Sequence, residues 1–162
     1  MSILYRYVGL PKHWALINRD DIEVSEIRFE KIIKGIDNIS EKPVQILWVG
    51  QVAPIVNYII ESKGISEVRG IDFTEYFGSV FAKEAPPVIL GKYTVVYNVG
   101  LEKALNLTFS KQILHGLIQK ITDFGGHTFL QTNCELDKLR RDYGIDFANV
   151  VKLPEIKEGK IL

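Results

Sequence analysis

Three clusters place a glycine, a carboxylate or a carboxamide directly after an apolar run: Gly50-Gln51-Val52-Ala53, Asp72-Phe73 and Asn98-Val99-Gly100-Leu101-Glu102. Glycine lets a backbone approach a ligand closely. Carboxylates accept hydrogen bonds, and carboxamides both donate and accept them. Glu102 is the candidate general base, needed only if a reacting group must lose a proton. Beside Lys103 it is equally an ordinary solvated charge pair. Other chemistries lack residues. A single cysteine, Cys134, gives no intramolecular disulfide framework and no cysteine-cluster metal site. His13, His115 and His127 form no His-x-x-x-His pair. Neither Gly-x-x-x-x-Gly-Lys-Ser/Thr nor Gly-x-Gly-x-x-Gly follows the first strand, which disfavours a phosphate-cradling ATPase and an ordinary dinucleotide dehydrogenase.

The elements that must hold these clusters belong to one domain of 162 residues. Its composition, 46% hydrophobic and 25% charged, is that of a soluble globular chain. Twenty basic and twenty acidic residues cancel, which argues against a protein living mainly on nucleic-acid phosphates. A local basic patch is still allowed. Apolar runs fall well short of the roughly 20 residues that span a bilayer. Met1 to Tyr7 lacks a basic segment followed by an apolar one, so no signal peptide is expected and the expected location is cytoplasmic.

Periodicity divides the chain into an N-terminal segment with a helix, residues 1–43, and a core over 44–153. Phe29, Ile32, Ile33 and Ile36 form one helical face, as do Val52, Ile55, Val56 and Ile59, and Leu114, Leu117, Ile118 and Ile121. Pro54 suits a first turn and Gly64 a stop. Strands are expected at 44–49, 67–72, 92–98, 127–132 and 147–153, with a very short one at Val88-Ile89-Leu90. Further helices are expected from Thr74 to about Lys83 and from about Cys134 to Arg141. This alternation predicts a three-layer α/β/α, Rossmann-like, mostly parallel sheet. Such folds bind ligands beyond the carboxyl ends of their strands, where the three clusters lie.

The run Ile46-Leu47-Trp48-Val49-Gly50, a helix, and Val68-Arg69-Gly70-Ile71-Asp72 resemble the opening of class I S-adenosylmethionine-dependent methyltransferases. Tyr93 to Glu102 looks like that family's fourth strand and following loop. Phe124-Gly125-Gly126 resembles its Pro-Gly-Gly turn into a fifth strand. The resemblance covers residues 44 to 153 in the right order. It implies a methyltransferase-type strand order with a hairpin-like final edge, and a small methyltransferase whose cofactor is S-adenosylmethionine. Gly50 and Gln51 would lie under the cofactor, Asp72 would hold its ribose, Phe73 would pack on adenine, and Asn98 would flank the methyl group. S-Adenosylhomocysteine would bind the same site. The acceptor is not specified, and a homo-oligomer is compatible.

The first turn departs from the family pattern. Trp48 takes the place of an acid, and Val52 and Pro54 stand where the second and third glycines would be. Only 20 residues separate Asp72 from Tyr93, which shortens the third strand. These side chains motivate an alternative, a catalytically degenerate methyltransferase-like domain acting as a binding or scaffold subunit. Each site residue also has a plainer role. Gly50 and Asn98 suit strand-end turns, and Asp72 suits a helix cap. Gly125-Gly126 suits a turn alone, His115 a structural or surface position, and Cys134 a small buried hydrophobe. His127 starts a strand at the end away from any site. The aromatic N-terminal stretch, Tyr5, Tyr7, His13 and Trp14, would either cover the cleft as a flap or pack across the sheet edge.

Overall fold

The computed structural model describes residues 2–17, 26–39, 41–84, 88–102, 107–144 and 150–151. The most continuous apolar runs take the inner places of one sheet: β1 (Gln45–Val49), β3 (Tyr93–Val99) and β4 (His127–Thr132). Every residue of β4 is buried. β2 (Val68–Asp72) carries Arg69, Gly70 and Asp72, and only Val68 is buried. A strand that cannot be covered on both faces belongs at an edge. The order is accordingly β2-β3-β4-β1-β5, every pair parallel, with β5 at Val150–Val151.

Alternating side chains feed two apolar layers. Ile46, Trp48, Val95, Tyr97 and Phe129 face α3 (Ala53–Lys63), Ile36 of α2 (Glu26–Asp37) and the N-terminal segment. Leu47, Val96, Val99 and Leu130 face α4 (Phe73–Phe81), α5 (Leu107–Phe124) and α6 (Leu136–Tyr143). The expected three-layer, Rossmann-like α/β/α frame is therefore present.

The strand order differs from the methyltransferase type, in which the first two strands lie side by side. Here β4 and β3 intervene between β1 and β2, because those runs are apolar on both faces and β2 is not. No antiparallel, hairpin-like edge occurs among the described residues, and β5 runs parallel to β1. Val88-Ile89-Leu90 belongs to no strand, and Ile89 is exposed. The rest of the expected final strand, residues 147–149 and 152–153, lies outside the described residues.

The N-terminal segment packs across the sheet edge. In α1 (Ser2–Tyr7) and the turns after it, Tyr5, Val8, Leu10 and Trp14 are buried, and Trp14 lies 5.1 Å from the Tyr97 ring. Asn57 of α3 accepts from the Tyr5 hydroxyl and donates to the carbonyls of Trp14 (2.9 Å) and Ile17 (3.0 Å). Gly70 N–H of the edge strand donates to the Val8 carbonyl at 2.7 Å. A Cβ on Gly9, whose φ is +83°, would lie 2.1 Å from the Gly70 oxygen, so only glycine fits there.

At the opposite end of the sheet, His127 Nδ1 accepts from the Val44 N–H at 3.2 Å beside the Tyr93 ring. That bond requires an unprotonated nitrogen. Burial, then the charge of Lys92, lowers the His127 pKa below its ordinary value, against a smaller opposing pull from Glu41. A lowered histidine pKa contributes stability above the unfolded-state value of about 6.5 and loses it as pH falls below. Urea melts between pH 7.5 and 5 should show His127 adding a slope of up to about 1.4 kcal/mol per pH unit. The His127→Leu variant should lack this increment. Equal slopes in both proteins would contradict the assignment.

Candidate functional site

The turn from β1 into α3 is closed on itself. Gly50 takes φ +106°, and a Cβ there would meet nothing within 4 Å, so glycine serves the backbone angle alone. Its N–H donates to the Thr132 carbonyl at 2.9 Å. The Gln51 carbonyl accepts from Trp48 Nε1 at 3.1 Å, and the Gln51 side-chain oxygen accepts from Ala53 N–H at 3.0 Å. Pro54 has no N–H. Ile55 and Val56 N–H both donate to the Val52 carbonyl at 3.1 Å. Helix N-termini bind anions through unsatisfied N–H groups. In α3 each first-turn donor already has a partner, and Val52, Ala53 and Pro54 are buried.

Gln131, a polar residue at the carboxyl end of β4, joins two of the expected site residues. Its side-chain oxygen accepts from Asn98 N–H at 3.0 Å, and its nitrogen donates to the Gly50 carbonyl at 2.9 Å. Asn98 has φ +63°, where the β3–β4 register shifts, and asparagine is among the few residues that tolerate that angle. Gln131 did not stand out in the sequence because its strand also carries His127, Thr128 and Thr132, all buried. Its signal was position, a carboxamide at the carboxyl end of a central strand.

Glu102 has both oxygens engaged. Oε1 accepts from Gly100 N–H at 2.8 Å, and Oε2 accepts from the Tyr143 hydroxyl of α6. Burial, and then this bond, push the Tyr143 hydroxyl well above its ordinary pKa, so it stays a donor. Glu102 thereby ties the loop after β3 to α6. His115 Nε2 is hydrogen-bonded to the Tyr143 carbonyl at 2.6 Å, a structural contact. Cys134 Sγ fills the space where a Gly100 Cβ would stand. Lys103 lies outside the described residues.

Asp72 and Phe73 stand apart from this cluster. Three strand spacings separate β1 from β2, about 14 Å at about 4.8 Å each. Asp72 Oδ1 accepts from Thr74 N–H at 3.0 Å and from Thr74 Oγ1 at 2.7 Å, which makes it the N-cap of α4. Phe73 is fully buried against Phe77, so its ring offers no face for adenine to stack on. As the first residue of α4 it turns into the sheet and not outward. Asp72 also lines an open groove of about 360 Å³ outside the β2 edge, between α1 and α4, with Arg6, Arg69, Glu75 and Tyr97 among its walls. Neither Gly50 nor Asn98 lines it.

No family model and no curated protein matches the chain. Its fold is shared. A solved structure, that of a candidate primosome component from Streptococcus pyogenes serotype M3, is similar over 94% of this chain and 92% of that one, with a TM-score of 0.51 and 14% identity. At that identity the likeness is one of fold. Among the described residues no helix is long and apolar enough to cross a membrane.

The capping geometry fixes the outcome of two substitutions. Asp72→Ala should lower stability in urea by about 1 kcal/mol, and Asp72→Asn, an equally good cap, should recover most of it. If the two variants are equally destabilised, the cap is not what Asp72 contributes.

Proposed function

We propose that the chain is a non-catalytic binding or scaffold subunit that keeps the frame of a small-molecule-binding α/β domain without its ligand turn. The observation that carries this reading is the first turn of α3, where every donor is used internally by Gln51, Val52 and the proline substitution of an N–H. An anionic group brought there would find the Ala53, Ile55 and Val56 N–H groups already engaged and would face three buried side chains. The structurally similar protein is described as a candidate primosome component, that is, as one part of an assembly. That likeness supports a role exercised through protein contacts. The balanced charge, 20 basic against 20 acidic residues, favours such contacts over nucleic-acid phosphates.

The methyltransferase reading makes a separate demand: one S-adenosylmethionine must reach from Gly50 to Asp72 across β4 and β3. Glu102, its candidate base, would have to leave Gly100 and Tyr143 before it could take a proton.

Calorimetry and thermal melts with a magnesium nucleoside triphosphate and with S-adenosylhomocysteine, each at millimolar concentration, separate the readings. A ligand present at about a hundred times its dissociation constant adds about 2.7 kcal/mol of stability. The subunit reading expects no heat and no shift with either compound. A saturable shift with S-adenosylhomocysteine would establish the cofactor site instead.

A further inference from the structure

The groove outside β2 holds two cations, Arg6 and Arg69, and two anions, Asp72 and Glu75. Among the described residues the ion pairs involve none of these four. Arg69 Nη1 donates to the backbone carbonyls of Ser66 and Val68, and Asp72 is met by Thr74 donors alone. The negative charges converge. Asp72 and Glu75 both raise the pKa of the Tyr97 hydroxyl, in addition to the larger effect of its burial. Arg69 and Asp72 sit three residues apart on the edge strand, about 10 Å at about 3.3 Å per residue. The same groove is lipped by two large exposed side chains, Tyr7 (81%) and Ile89 (70%).

A partner of one charge sign would satisfy half of this groove and be repelled by the other half. A surface whose cation and anion lie at two ends of one edge is instead complementary to itself. In a two-fold contact residue i meets j while j meets i. We propose that the β2 groove is the contact face of a homodimer. The two-fold axis passes beside Gly70-Ile71, so that Arg69 of each copy meets Asp72 and Glu75 of the other, with Tyr7 and Ile89 covered. Val8 already occupies the Gly70 N–H, so the contact is made by side chains and not by extending the sheet. This face is distinct from the β1–α3 turn, and its dimer stands whether or not that turn takes a ligand.

The test is sedimentation equilibrium of the full chain and three variant samples over a micromolar concentration series. The parent should dimerise, more weakly as salt is raised. Arg69→Glu and Glu75→Arg should each weaken dimerisation at least tenfold, since each sets like charges face to face. An equimolar mixture of the two should dimerise more tightly than either variant alone. One contact of the mixed dimer is then the parental one, and the other regains an opposite-charge pair between positions 69 and 75, with Asp72 its single like charge. A monomeric parent overturns the proposal. So does a dimer unmoved by either change, or loss in both without recovery on mixing. Thermal melts establish that each variant is folded. Should Arg69→Glu not fold, Glu75→Arg alone must still dissociate the dimer, and its failure to do so overturns the proposal equally.

Discussion

The placement of β2 governs most of what this chain can do. Its residues Arg69, Gly70 and Asp72 cannot be buried on both faces without stranding two charges in an apolar layer, which is costly for unpaired groups. The strand therefore takes the edge, and the apolar β3 and β4 fill the space between it and β1. From that single constraint come the separation of Asp72 from Gly50, the docking of the N-terminal segment on an otherwise open edge, and the groove between them. An exposed edge strand is a template for unwanted pairing. Here Val8 takes the Gly70 N–H, and the Gly9 backbone lies on the Gly70 backbone so closely that neither position admits a side chain.

The carboxyl ends of β1, β3 and β4 show the complementary situation. In a ligand-binding α/β domain this region leaves donors and acceptors for the ligand. In this chain the protein uses them. Gln131 spans from Gly50 to Asn98, Thr132 Oγ1 donates to the Val99 carbonyl at 2.6 Å and accepts from Cys134 N–H at 3.0 Å, and Glu102 links Gly100 to Tyr143. Partly buried polar networks of this kind rigidify when fully satisfied. The same saturation fixes the loops, and a small molecule bound there would have to compete with the protein for one set of atoms.

The frame was legible in the sequence because it rests on period and on local breakers. The alternation around Val44 to Val49, Tyr93 to Asn98 and His127 to Thr132, with Pro54 and Gly64 bounding a helix, specifies strands and helices from neighbouring residues. Strand order is set by which strands can share two covered faces, a comparison across the whole chain. Arg69, Gly70 and Asp72 send β2 to the edge, whereas the likeness of the first two strands to a methyltransferase opening implies that they lie side by side. At the site, Asp72 was legible as a cap through Thr74 two residues on. Gln131 was not, because its two partners are 33 and 81 residues away in sequence. Phe73 looked available because it follows a strand end, yet the helix begins at once and turns its ring inward.

Trp48 and Pro54 show how two residues make the β1–α3 turn a structural one. A tryptophan at the penultimate strand position fills the layer under α3, and its indole N–H fixes the Gln51 carbonyl. That leaves the Gln51 side chain over the helix start, where it occupies the Ala53 donor, and Pro54 removes the next. Neither residue is costly for folding: a buried aromatic adds apolar area, and proline is tolerated in a first turn. Together they make the start of α3 a place where the chain uses its hydrogen bonds internally. Arg6, Arg69, Asp72 and Glu75 gather at the groove beside β2, and among the described residues none of them is in an ion pair.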